Sequence, residues 1–298
     1  TAVASCVAAY RDEVRHLADQ PLLSRSYQRM DVDRLAADAG KGTLGDQVRK
    51  AARRARRRTS DRALPRFTEE FEGARRIVEE PPLITRVPAE EADLLAEALD
   101  EYLTTLAPHW RRALGGYTLV DIAYKVVGVG SVGLRAYVAL LEGSSPTDVV
   151  FLQLKQARRS VLARYVHGVS AWHAHQGQRV VEYQQALQTV SDPLLGWTTV
   201  PPDDGVGQGR QFYVRQFRDM KGTVALDAID ATALAEYAGV VGHLLAKGHA
   251  RTSGASMIAG YIGGSNRLGE ALCRFARAYA DQTEADHAAL VAAVKRGL

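Results

Sequence analysis

Cysteine is nearly absent from the sequence: 298 residues hold two, Cys6 and Cys273. Two thiols give neither a disulfide framework nor a thiolate metal cluster. Their apolar, helix-forming neighbours predict buried, reduced side chains and a cytoplasmic setting. The sequence also lacks an uninterrupted apolar run of about 18 residues, the length a membrane-crossing helix needs. Residues Thr1 to Tyr10 carry no basic leader and no cleavage pattern, so no membrane association is expected. They also lack a methionine and enter a helix without a cap, which leads us to expect further sequence upstream. No segment repeats another, and none is low in complexity.

What is there is a globular composition, 46% hydrophobic and 24% charged, enough for one large domain or two ordinary ones. The net charge of +4 is unevenly spread. Arg49, Lys50, Arg53, Arg54, Arg56, Arg57, Arg58 and Arg62 form one dense block on a helix expected over Thr43 to Thr59. Leu44, Val48, Ala52 and Ala55 mark its apolar side. Such a block suits nucleic-acid phosphates, but no aromatics are interleaved to stack on bases. A solvated or acid-paired helix face, or a contact to a phosphorylated ligand, is the favoured reading.

The most informative stretch is Val126 to Gly133, where Gly128, Gly130 and Gly133 form a G-x-G-x-x-G pattern that lets a backbone approach a phosphate closely. In a dinucleotide-binding unit a helix follows these glycines. Here Arg135 to Gly143 is rich in strand formers, Gly143 to Asp148 is a turn, and Val149 to Lys155 is another strand. Strand, glycine loop, strand, turn and strand with an inward lysine is the order of the kinase glycine-rich loop and its phosphate-pairing lysine. A glycine-containing meander is the plain alternative.

Elsewhere we expect helices over 3–19, Asp31 to Ala39, Pro88 to Leu106, Gly177 to Val190, Ala231 to Lys247, Asn266 to Tyr279 and Thr283 to Arg296. Phe67 to Pro82 reads as irregular or strand-bearing, and Gln211 to Phe217 as a strand after the turn Asp203 to Gly209. In the Ala231 helix, Leu234, Tyr237, Ala238, Val241, Leu244 and Leu245 should face inward. His249 to Gly254 should be a loop. On the Gly177 helix, Val180, Val181 and Leu187 should point inward, and Glu182 is the carboxylate available to orient Lys155. His167, His173 and His175 raise a metal site, but no further ligand at the usual spacing completes it.

Val126 to Gly133 with Leu140 to Gly143, Phe151 to Ala157, Gly177 to Glu182, Asp192 to Trp197, Arg215 to Gly222, His249 to Arg251, Ile258 to Tyr261 and Tyr279 to Gln282 together resemble the bacterial family called domain of unknown function 2252. The resemblance implies an α+β, protein-kinase-like fold, circularly permuted, with a small antiparallel sheet beside a mainly helical lobe. It implies ATP and Mg²⁺ as cofactors. It also implies an upstream Gly-Asp-Ala-His-x-x-Asn motif and an Asp-rich motif, which this chain does not contain. Gly254 stands where an aspartate is expected after His249-Ala250-Arg251.

Residues 1–115 are therefore expected to form a mainly helical segment, 116–222 a glycine-loop sheet lobe and 223–298 a helical lobe. The expected activity is a kinase-like phosphotransferase, or an ATP-binding protein, with an unidentified phosphoryl acceptor. Gly128, Gly130, Ser131 and Gly133 would cover the phosphates, Lys155 would neutralise them and Glu182 would orient Lys155. No catalytic residue or metal ligand is assigned, and Asp219 and Asp281 read as structural. The alternatives are a non-catalytic pseudokinase-type nucleotide module and a nucleic-acid-binding protein using Arg49 to Arg62.

Overall fold

The computed structural model describes residues 1–29, 42–57, 60–126, 128, 133–165, 173–202, 209–217, 222–251 and 254–297. Its first half runs α1 (Ala2–Ala18), α2 (Leu22–Ser26), α3 (Thr43–Ala55), α4 (Ser60–Phe67), β1 (Thr68–Phe71), β2 (Ala74–Ile77), β3 (Ile84–Arg86), α5 (Ala89–Thr104) and α6 (Pro108–Leu114). There follow β4 (Thr118–Lys125), β5 (Ala136–Glu142), β6 (Val149–Gln156), α7 (Gln176–Leu187), β7 (Gly196–Val200), β8 (Arg210–Gln216), α8 (Ala231–Ala250), α9 (Ala255–Ile262) and α10 (Arg267–Lys295). The fold is α+β. Among the described residues no helix is long and apolar enough to cross a membrane.

By internal packing the chain divides into two units. One comprises 1–51, 186–189 and 223–298; the other comprises 52–185 and 190–222. Residues 52–115, read from sequence as part of a helical segment, thus pack with the sheet.

The sheet unit is built on six strands in the order β3-β4-β5-β6-β8-β7, every neighbouring pair antiparallel. β5 is buried at six of its seven positions, so its side chains meet cover on both faces. On the first face α5 lays Leu95, Leu99 and Tyr102 over Tyr137, Ala139, Leu141, Leu152, Leu154, Phe212 and Val214. Each leucine, valine or phenylalanine among them contributes about 1.5–3 kcal/mol by leaving water. The fully buried Tyr102 hydroxyl donates to the Leu194 carbonyl at 2.6 Å. The Thr198 hydroxyl donates to the Ala98 carbonyl at 2.7 Å. A Cβ at Gly196 would stand 2.5 Å from Thr105 Oγ1 and 2.7 Å from the Tyr102 ring, so the start of β7 admits only glycine against α5. Strand β7 is an element the sequence reading did not foresee.

The second face is covered at one end only. Leu64, Ile77, Ala123, Val138, Leu140 and Phe151 pack there with Phe67 and Phe217. The three phenylalanine rings meet edge to face at 5.7 to 6.5 Å. Lys155, further along β6 on the same face as Phe151, is not part of this cluster.

In the helical unit, α8 differs from its expected orientation. Leu234, Leu244 and Leu245 are 39%, 40% and 47% exposed, whereas Ala233, Gly242, Ala246, Gly248 and Ala250 are buried. The reason is backbone proximity: a Cβ on Gly242 would lie 2.2 Å from the Cys6 carbonyl of α1. Small residues let the helices approach closely, and that gain outweighs burying the leucines. Leu187, also expected to point inward, is 39% exposed.

Two further expectations are corrected. His249 and Ala250 are the last turn of α8 and not a loop; the helix runs on through Gly248, where a Cβ would stand 3.0 Å from the Leu187 carbonyl. Arg251 uses its guanidinium to hold backbone, donating to the carbonyls of Ala186 (3.2 Å) and Ser26 (2.6 Å). The two closing helices are one, α10, since Ala280-Asp281-Gln282 contains nothing that interrupts a helix. The helix expected over Asp31 to Ala39 and the turn at 203–208 lie outside the described residues.

Candidate functional site

The candidate site grows out of strand register in the sheet unit. Gly133 adopts φ +75°, a left-handed conformation that favours glycine, as the chain turns into β5. Three residues on, Ala136 is directly opposite Lys155 on β6, and Lys155 is directly opposite Tyr213 on β8. The end of the glycine loop and the lysine therefore share one end of the sheet. Antiparallel pairing makes this junction tight: Arg135 N donates to Gln156 Oε1 at 3.1 Å, and Gln156 N donates to the Arg135 carbonyl at 2.9 Å. Arg158 also donates to the Gly133 carbonyl at 3.3 Å. A Cβ at Gly128 would meet nothing within 4 Å, so packing inside the protein does not account for that glycine. Gly130 and Ser131 lie outside the described residues.

Lys155 is half-buried. Its ammonium stands 5.8 Å from the centroid of the Tyr213 ring, and among the described residues it has no carboxylate partner. Opposite residues of an antiparallel pair project from the same side. Gln153, Lys155, Tyr213, Arg215 and Trp197 therefore share the second face, beyond the phenylalanine cluster.

Helix α7 is anchored beside this row. A Cβ at Gly177 would stand 2.1 Å from the Phe212 carbonyl, so the helix start is pressed against β8. His175 caps the helix: Gln178 N donates to His175 Nδ1 at 3.1 Å, which leaves Nε2 to donate to the Thr198 carbonyl (3.2 Å) or Thr199 Oγ1 (3.1 Å). Burial pushes the His175 imidazole below its ordinary pKa, against the opposing pull of the Thr198 carbonyl and of Glu101. Val181 is fully buried beneath the helix.

Glu182, one residue further, is not turned to Lys155. Its carboxylate accepts from His173 Nε2 at 2.5 Å and from Gln178 Nε2 at 2.7 Å. The hydrogen bond from His173 is the main reason its carboxyl sits below the usual range. The structure sets Gly133 and Lys155 at the same end of the sheet and assigns Glu182 to His173. The imidazoles of His173 and His175 thus have structural partners, and His167 lies outside the described residues. Among the described residues no group of three His, Cys, Asp or Glu side chains could hold a metal ion. Asp281 lies on α10 and is exposed; Asp219 is outside the described residues.

The model of a family described as an uncharacterized protein conserved in bacteria, DUF2252, matches residues 1–293. The chain belongs to that family. No curated protein and no solved structure matches it. DUF2252 membership therefore brings no assigned chemistry to the row containing Lys155, which stands on its own geometry.

Two features of this DUF2252 site escaped the sequence reading. The cap made by His175 was hidden because histidine is not a usual capping residue. Arg215 was missed as a neighbour of Lys155, although its spacing of two from Tyr213 is the signal that places both on one strand face.

Proposed function

We propose that the chain binds ATP as a kinase-like phosphotransferase or its non-catalytic counterpart, with the triphosphate held between the Gly128–Gly133 loop and Lys155. The observation that carries this reading is the register of Ala136 against Lys155, which sets the loop exit and the lysine at one end of the sheet. A loop strand, a return strand, a lysine strand and then a helix follow in the order of kinase phosphate recognition. The groups present suit the ligand. Gly128 has open space beside it, and Lys155 lacks a carboxylate partner among the described residues.

Phosphoryl transfer depends on positioning and charge neutralisation, usually with a metal ion between phosphate oxygens. Among the described residues no group of three His, Cys, Asp or Glu side chains is placed to hold a metal ion. Binding by Lys155 and the loop backbone is the part of the reading the site supports; the acceptor is unidentified.

Calorimetric titration of the full chain with ATP tests it. Lys155→Ala should weaken binding by about tenfold or more, the loss of one charge-assisted contact. Unchanged affinity in that variant would sink the reading. Labelled phosphate transfer in the presence of Mg²⁺ separates an enzyme from a binding module.

The nucleic-acid alternative keeps one favourable observation, the exposure of Arg53, Arg54 and Arg57. It requires binding that weakens steeply with salt and is lost on reversing those three charges.

A further inference from the structure

Arg215 is a cation of the sheet unit with no hydrogen-bond or ion-pair partner for its guanidinium among the described residues. It lies on β8 directly opposite Gln153, two positions from Tyr213, and so projects from the face that carries Lys155. Its Nε is shut off from solvent and has no hydrogen-bond partner. Among the described residues its guanidinium forms no ion pair. A buried donor without an acceptor lowers stability, and two cations diagonal on adjacent strands repel each other. Diagonal partners of this kind stand roughly 7–8 Å apart at the backbone, a gap that the arginine and lysine side chains can close onto one polyanion.

We propose that Arg215 is a second phosphate-binding residue of the Lys155 site, gripping the phosphate chain of a nucleoside triphosphate by its guanidinium fork. The inference rests on the ATP-binding reading and adds to it a residue and a ligand feature: recognition of a chain of phosphates by two cations from neighbouring strands. An anion there accepts from the terminal N–H groups of the guanidinium and neutralises both charges. A planar fork presents two parallel N–H groups to a pair of phosphate oxygens, a fixed geometry that an ammonium does not offer. The expected selectivity is therefore for longer phosphate chains, with ATP and inorganic triphosphate ahead of AMP.

The test is titration of the full chain with ATP, AMP and inorganic triphosphate, for the wild type, Lys155→Ala, Arg215→Gln and Arg215→Lys. Arg215→Gln should weaken ATP and triphosphate by about tenfold while changing AMP little, and Arg215→Lys should recover only part of the loss. Comparable loss for ATP and triphosphate assigns Arg215 to the phosphate chain, whether or not a base is attached. Without ligand, Arg215→Gln should melt at or above the wild-type temperature, because an unpaired donor has been removed; an arginine with a merely structural role would lower it. If Arg215→Gln fails to fold, Arg215→Lys decides alone: weaker ATP binding at unchanged melting temperature supports the inference, and undiminished binding overturns it. Undiminished ATP binding in Arg215→Gln, with loss in Lys155→Ala, overturns the inference and leaves the ATP reading intact. If the wild type binds neither ATP nor triphosphate, both fall.

Discussion

His173 Nε2 and the Glu182 carboxylate stand 2.5 Å apart, so the acid available to orient Lys155 is engaged elsewhere. A kinase-type lysine–glutamate pair would require Glu182 to release the imidazole. His173 is held by more than this bond: its side chain is 11% exposed and its ring meets Tyr183 at 5.9 Å.

The pair carries a pH signature. The Glu182 carboxyl is depressed from 4.5, chiefly by the hydrogen bond from His173. Its contribution is present above the unfolded-state value and is lost as pH falls through the folded one. Because the Glu182 side chain is 45% exposed, the contribution is screened to at most about 1 kcal/mol. Urea unfolding of the wild type and Glu182→Gln should differ at pH 7 and converge towards pH 3. A gap that stays constant over that range would show that the carboxylate's charge is irrelevant to the pair.

His175 also costs stability on acidification, in a higher pH window. Its imidazole is depressed from 6.5, first by desolvation, so the unfolded chain binds a proton that the folded chain resists. Stability should therefore fall as pH drops below about 6.5 and level off once the folded-state imidazole also titrates. His175→Asn keeps a side chain that can cap α7 and removes the titration. The check is a comparison of thermal melts between pH 7.5 and 5. If the variant retains the wild-type slope, the acid sensitivity belongs to another group.

Two glycines of α8 should respond with opposite signs. At Gly242 a methyl group would lie 2.2 Å from the Cys6 carbonyl. Gly242→Ala should therefore destabilise by about 1–3 kcal/mol, as overpacking does. At Gly239 a Cβ meets nothing within 4 Å, and Gly239→Ala should stabilise by about 0.5–1 kcal/mol through helix propensity. Denaturant titration of both variants reads the two signs. Equal effects would mean that α1 and α8 do not pack backbone to backbone.

Much of the sheet was legible because its information is local. Alternation and β-branched residues over Val149 to Lys155, the turn at Gly143 to Asp148 and the three glycines predict two strands joined as they are found in β5 and β6. The amphipathic stripe of α5 and the proline before it were equally plain. The inward face of α8 was not. Its leucine stripe is the stronger hydrophobic signal in one dimension, yet the buried side is the one whose small residues fit against Cys6 and Ala9 of α1.

The amino-acid sequence by itself determined the family, the α+β class and the succession of loop, return strand and lysine strand, because these depend on residue type, spacing and turn chemistry. Tertiary structure decided which groups meet. Cross-strand register put Ala136 beside Lys155 and Arg215 beside Gln153; the competition between His173 and Lys155 for Glu182 went to the imidazole. Pairing across strands and choice of hydrogen-bond partner follow from distances between residues far apart in the chain, and periodicity carries no record of those distances.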